Sequence, residues 1–140
     1  MLKKDITYTD FDDNEVTETL YFNLTKAELV EKEVGETGGY ANMLKRVVDS
    51  KDAATIMKVF KELILSSYGI KSEDGKSFKK SQEIRDDFEN SAAYSEIFID
   101  LCTNADAAIE FVTRVLPLTD DQRKEVIAKQ AKTTELPSGT

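Results

Sequence analysis

The side chains best suited to chemistry are three adjacent acidic pairs, Asp12/Asp13, Asp86/Asp87 and Asp120/Asp121, and one serine pair, Ser66-Ser67. Two carboxylates do general acid–base work when both reach the same reacting group, but neighbours in sequence point to different sides of a helix. Asp120/Asp121 also stand where negative charge favours a helix N-terminus, which accounts for them without catalysis. A serine needs a base to become a nucleophile, and Ser66-Ser67 lacks a histidine, a local lysine and the glycine-flanked elbow of hydrolases. The chain contains no histidine, which removes the commonest general base and the commonest transition-metal ligand together. No catalytic, cofactor-binding or metal-ligating residue is assigned, and a protein that is not an enzyme is expected.

Two loops imitate ligand sites. Gly35-Glu36-Thr37-Gly38-Gly39 is rich in glycine but has neither the lysine-serine pair nor the strand-loop-helix setting of a phosphate loop, so it reads as a flexible connector. Ser72 to Phe78 carries oxygen ligands without the regular spacing that closes a calcium loop on a glutamate. Asp74-Gly75 reads instead as a tight turn between two very short extended pieces. Cys102 stands alone in an apolar helical pattern and is expected as a buried thiol.

The elements that position these residues follow from length, charge and periodicity. At 140 residues, 40% hydrophobic and 33% charged, the chain has the composition of one globular domain. With 27 acidic against 19 basic residues its net charge is −8, a sign that repels phosphate backbones, so nucleic acid is not an expected partner. No apolar run is long enough to span a bilayer, and no apolar segment follows the first lysines, so no membrane and a cytoplasmic location are expected.

Leu2, Ile6 and Tyr8 share one face of a period-two pattern that resumes at Val16, Leu20 and Phe22, with turn formers Phe11-Asp12-Asp13-Asn14 between. This predicts a β-hairpin over residues 1–23, whose apolar face must lie on helices or on another subunit. Thr25 and Glu28 have capping-box spacing and open a short helix. A second runs from Tyr40 to about Ser50. The stretch Ala53 to Ser81 reads as the organising one. In it a central helix carries Ala53, Ile56, Met57, Phe60, Leu63 and Ile64 on its apolar face and Lys58 opposite Glu62 on its solvent strip. Ser50 or Asp52 caps it, and Gly69 is expected to close it in the left-handed conformation. Ser81, Ser91 and Asn104 or Asp106 start three more helices, the last stopped by Pro117. The fold class is therefore mainly α with a small N-terminal β-hairpin, an α+β domain of about five to seven helices. Residues 1–117 form its body, with helices from 24 onward. Thr119 to Gln122 cap a weakly packed helix over 118–132, and 133–140 have the composition of a flexible tail.

Particular segments carry a resemblance. Tyr21 to Leu29, Gly38-Gly39, Phe60 to Gly69, Ser72 to Ser81 and Ala93 to Phe98 resemble the tail assembly chaperones of long-tailed bacteriophages and prophages, most specifically over Leu63 to Ser81. The resemblance implies a non-enzymatic module that binds the long helical tape measure protein and keeps it soluble until tail tube subunits polymerise around it. It also implies a frameshift-extended form of the same chain as a partner and absence from the mature virion, while an edge strand of the hairpin offers pairing with another copy and so a homo-oligomer. A helix-in-groove contact draws on apolar anchors outside the obvious core stripes. The partner-binding candidates are Tyr21, Val59, Leu65, Tyr68, Ile70 and Phe78. The alternative is a tail completion or head-tail connector protein that stays in the particle.

Overall fold

The computed structural model describes residues 1–34 and 38–127. β1 (Leu2–Thr9) and β2 (Glu15–Phe22) pair antiparallel from Leu2 opposite Phe22 to Thr9 opposite Glu15. Between them the Asp10 carboxylate accepts hydrogen bonds from the backbone of Asp12 and Asn14, both at 2.9 Å, and Asp13 takes φ 63°. Acidic and amide residues suit this turn because their side chains bond the local backbone and tolerate a left-handed φ. Alternation then sorts the side chains. Leu2, Ile6, Leu20 and Phe22 are buried against the helices, while the opposite face shows Thr7 bonded to Thr17 at 2.9 Å and Thr19 donating to Asp5 at 2.6 Å. Lys4 shares the helix-facing side and meets Asp100 at 3.6 Å.

Six helices follow: α1 (Lys26–Glu33), α2 (Tyr40–Ser50), α3 (Ala53–Ser67), α4 (Gln82–Glu89), α5 (Ala92–Thr103) and α6 (Ala105–Val115). A further helix, α7, covers residues 120–127. The expected caps are present except at α3, where Asp52 is the N-cap residue but no side-chain oxygen accepts from a helix N–H, the Asp52 carboxylate accepting instead from the Thr55 hydroxyl at 2.6 Å. Thr25 and Glu28 form the reciprocal capping box, Ser81, Ser91 and Asn104 accept from the third residue of their helices, and Thr119 and Gln122 exchange bonds at 3.1 and 2.9 Å.

The sheet is larger than a hairpin. β3 (Tyr68–Lys71) and β4 (Phe78–Lys79) extend it to four antiparallel strands in the order β1-β2-β3-β4. β3 starts at the residue after α3 and sets Tyr68 opposite Phe22 and Gly69 opposite Tyr21. The expected left-handed Gly69 is therefore corrected, since its φ is not positive and α3 runs straight into a strand. What requires glycine there is space: an added Cβ would lie 2.6 Å from the Phe78 ring and 2.9 Å from the Lys79 carbonyl. In the turn between β3 and β4 it is Gly75 that takes a positive φ, at 73°.

Two features of α3 differ from expectation. Only its C-terminal half, with Phe60, Leu63, Ile64 and Leu65, is buried, while Ala53 and Met57 are exposed. Six of the eleven residues of α6 are buried, so α6 is the more enclosed helix. Periodicity shows which residues share a face but not how far along a helix its neighbours extend. Glu62 does not pair with Lys58; it accepts from Arg85 of α4 at 2.7 Å, and Lys61 meets Glu89 at 3.1 Å. These contacts fix α4 across α3, a geometry that i, i+4 spacing within one helix does not reveal.

Phe22 is the hinge of the core. Its ring is fully buried and edge-on to Tyr68, Phe88 and Phe111 at centroid separations of 5.3–5.9 Å. Burying a side chain of this size stabilises by about 1.5–3 kcal/mol, and each aromatic pair adds roughly 0.5–1.5. The chain leaving β2 is stitched down by Asn23 N–H donating to Ser67 and Leu24 N–H donating to Val115. At the far end, Val126 of α7 is 2% exposed and Arg123 donates to the Thr113 carbonyl at 3.1 Å. The part of the expected helix after residue 127, the tail over 133–140 and Gly35-Glu36-Thr37 lie outside the described residues.

Candidate partner-binding surface

The six expected contact residues are divided among three places by the fold. Leu65 is 3% exposed and belongs to the core, and Val59 is half-buried and packed against it. The register of β2, β3 and β4 puts Tyr21, Gly69, Lys71 and Phe78 on the sheet face away from the helices, and Tyr68 and Ile70 on the other. On the outer face each aromatic ring already carries a cation from the chain itself. Lys71 Nζ stands 5.7 Å from the Tyr21 ring centre, and Lys80 Nζ stands 5.7 Å from that of Phe78.

Tyr68 and Ile70 are brought together with residues that were not expected. Beyond the edge of α4 the helix-facing side of the sheet opens into a cleft of about 210 Å³ lined by Tyr8, Glu18, Tyr68, Ile70, Ile84, Asp87, Phe88 and Ser91. Its floor is rigid, because the Tyr68 ring lies flat on Phe88 with centroids 3.9 Å apart and planes 7° apart. Phe88 is in turn edge-on to Tyr94, whose hydroxyl is pushed up to about 12 by burial, with the Glu89 charge adding to the shift. Ile70 is 50% exposed, an apolar side chain held open at the cleft. Tyr8 donates to Glu18 at 3.4 Å. Burial, then the Glu18 charge, then Tyr8 raise the Tyr68 hydroxyl above its ordinary range. The cleft can therefore hold an apolar or cationic side chain.

The missed residues left a weak trace in the sequence. Tyr8 closes the apolar face of β1 at the turn end, where a hairpin outreaches its helices, whereas Ile84 and Asp87 are separated from it by more than seventy positions of chain. The β2–β3 pairing, with α4 packed on β3, brings them together.

A second concavity, about 250 Å³, lies where α2, α3, α5 and α6 meet and is lined by Val48, Ile56, Leu101, Cys102 and Ala108 among others. Cys102 is half-buried there, and burial raises its thiol. Among the described residues no group of three or more histidine, cysteine, aspartate or glutamate side chains could hold a metal ion, and no helix is long and apolar enough to cross a membrane.

A family model described as phage tail assembly chaperone matches residues 1–138. The chain belongs to that family. The match runs past Pro117, so the residues of α7 lie within the region matched to the family. No curated protein and no solved structure matches it. As a member of an assembly chaperone family, the chain has protein partners in tail assembly.

Proposed function

We propose that this chain binds the tape measure protein of its phage and keeps that long helical protein soluble until the tail tube forms around it. The observation that carries the reading is the family match over nearly the whole chain. The surface supports it, since a chaperone for apolar helices needs exposed apolar anchors beside polar edges. Ile70 at the sheet–α4 cleft and Met57 on the exposed N-terminal half of α3 supply them. The six positions named from sequence enter in this order: Tyr68 and Ile70 are contact residues, Tyr21 and Phe78 a second polar-aromatic face, and Val59 and Leu65 support from below.

The same reading includes three further points. A frameshift-extended form of the chain acts beside this one, both work in the cytoplasm of the bacterial host without enzymatic activity, and neither stays in the mature virion. Copies of the chain associate, for which β1 offers a strand at the edge of the sheet. The test is co-expression with the tape measure protein, alone and with the extended form, reading soluble yield and co-elution. Rescue with a stable complex supports the proposal. No rescue with either form, together with recovery of the chain from purified virions, favours a tail completion or connector protein instead.

A further inference from the structure

The sheet–α4 cleft is distinguished by what it lacks. Glu18 and Asp87 stand at it, and neither has an ion-pair partner among the described residues. The nearby cations are engaged elsewhere: Arg85 with Glu62, Lys80 with Glu28, and Lys71 over Tyr21 on the other face. Lys79, opposite Ile70 in the sheet, is exposed and does not line the cleft. The outer face of the same sheet shows a lysine over each half-buried ring. The cleft presents two tyrosines, two isoleucines and two carboxylates, and no cation of its own.

A long cationic side chain fits that chemistry at every point. Its methylene stem is apolar and packs on isoleucine, its charge is attracted to the face of an aromatic ring, and its N–H groups donate to carboxylates. A neutral apolar side chain would use the isoleucines but would desolvate both carboxylates without return. A phosphate or an acidic segment would be repelled. We propose that the cleft takes a lysine or arginine side chain borne on the apolar face of a tape measure helix, with its stem on Ile70, Ile84 and Tyr68 and its charge at Glu18 and Asp87. This rests on the reading of the chain as a tape measure chaperone.

The test compares binding of the tape measure protein to the full chain and to two variants that lose the same charge. E18Q/D87N removes the carboxylates of the cleft, and D12N/D13N removes two at the hairpin turn, neither of which lines the cleft. The expected result is about tenfold or greater weakening by E18Q/D87N, with loss of much of the salt dependence, and less than about twofold by D12N/D13N. Backbone amide shifts of the wild-type chain supply a readout that needs no variant: Tyr68, Ile70 and Ile84 move on titration with the tape measure protein. If the wild type binds, both variants bind equally and these amides stay still, the cleft is not the site and the chaperone reading survives. Self-association of the chain that the cleft variant alone abolishes, with tape measure binding intact, assigns the cleft to a second copy and overturns the proposal. If the wild type does not bind the tape measure protein, both readings fall together.

Discussion

The ring of Phe78 occupies the space that a side chain on Gly69 would need, with a Cβ there only 2.6 Å from the ring and 2.9 Å from the Lys79 carbonyl. The short strand β4 thus lies against β3 at a distance only glycine permits, and that packing completes the sheet edge beside the cleft. Gly69→Ala is expected to destabilise by about 1–3 kcal/mol, because the backbone oxygen cannot rotate away as a ring can. Adding Phe78→Ala should recover only part of the loss, so a double-mutant cycle by denaturant unfolding should show coupling between the two positions. A Gly69→Ala protein as stable as wild type would contradict this packing.

Lys80 joins segments that are distant in the chain. Its Nζ donates to the Asn23 carbonyl at 2.7 Å and to both Glu28 carboxylate oxygens at 2.7 and 3.0 Å. Glu28 meanwhile accepts from the Thr25 backbone at 2.9 Å, so one carboxylate caps α1 and holds the start of α4's lead-in. Burial pushes the Glu28 carboxyl up, but the Lys80 hydrogen bond, the Thr25 backbone donor, the Lys80 charge and the Thr25 hydroxyl together bring it below its ordinary value. A carboxyl lowered in the fold stabilises the protein above its unfolded pKa, and that contribution disappears as pH falls through the lower folded value. Lys80→Met is expected to cost about 1 kcal/mol at neutral pH and much less in acid, below both values, seen as a flatter acid limb of stability against pH.

Lys45 is 3% exposed, and its ammonium group is paired with Asp49 one turn along α2. A buried charge with a single partner gains little over a well-packed apolar side chain, whereas removing the partner strands the charge. Thermal unfolding of Lys45→Met should therefore stay within about 1 kcal/mol of wild type, on either side. Asp49→Ala should lose about 1–3 kcal/mol, the larger effect from the more exposed residue.

The Tyr68–Phe88 stack joins the cleft to the core, since Phe88 also meets Phe22 and Tyr94 edge-on. Phe88→Ala is expected to cost about 3–5 kcal/mol and to weaken tape measure binding as well, because the cleft floor loses its support. Tyr68→Phe keeps the ring and should leave stability within about 1 kcal/mol of wild type. Chemical unfolding together with binding of the same variants separates the two effects.

What was legible in the sequence was local. Side-chain alternation gave the hairpin and its buried face, and the side-chain oxygen acceptors of Thr25, Ser81, Ser91, Asn104 and Thr119 marked helix starts found in the fold. What was not legible depends on which elements meet. Gly69 carries the ordinary mark of a helix end, and nothing local says that the chain here joins a strand forty-six positions earlier, as Tyr68 does with Phe22. Glu62 has a suitable lysine four residues before it and still pairs with Arg85, because packing of α4 brings the guanidinium closer. Tyr68 and Ile70 stood out as apolar residues outside the core stripes, but the carboxylates that complete their cleft come from β2 and α4. Their meeting is a property of the sheet order.

The most direct measurement is of aggregation itself. The tape measure protein is diluted from denaturant and its light scattering followed with and without an equimolar amount of this chain, using an unrelated acidic protein of similar size as control. The expected result is suppressed scattering and a soluble complex containing both proteins, with the chain showing no effect on an unrelated aggregating protein. Scattering that rises as fast with this chain as with the control, and no complex on gel filtration, would contradict the chaperone account.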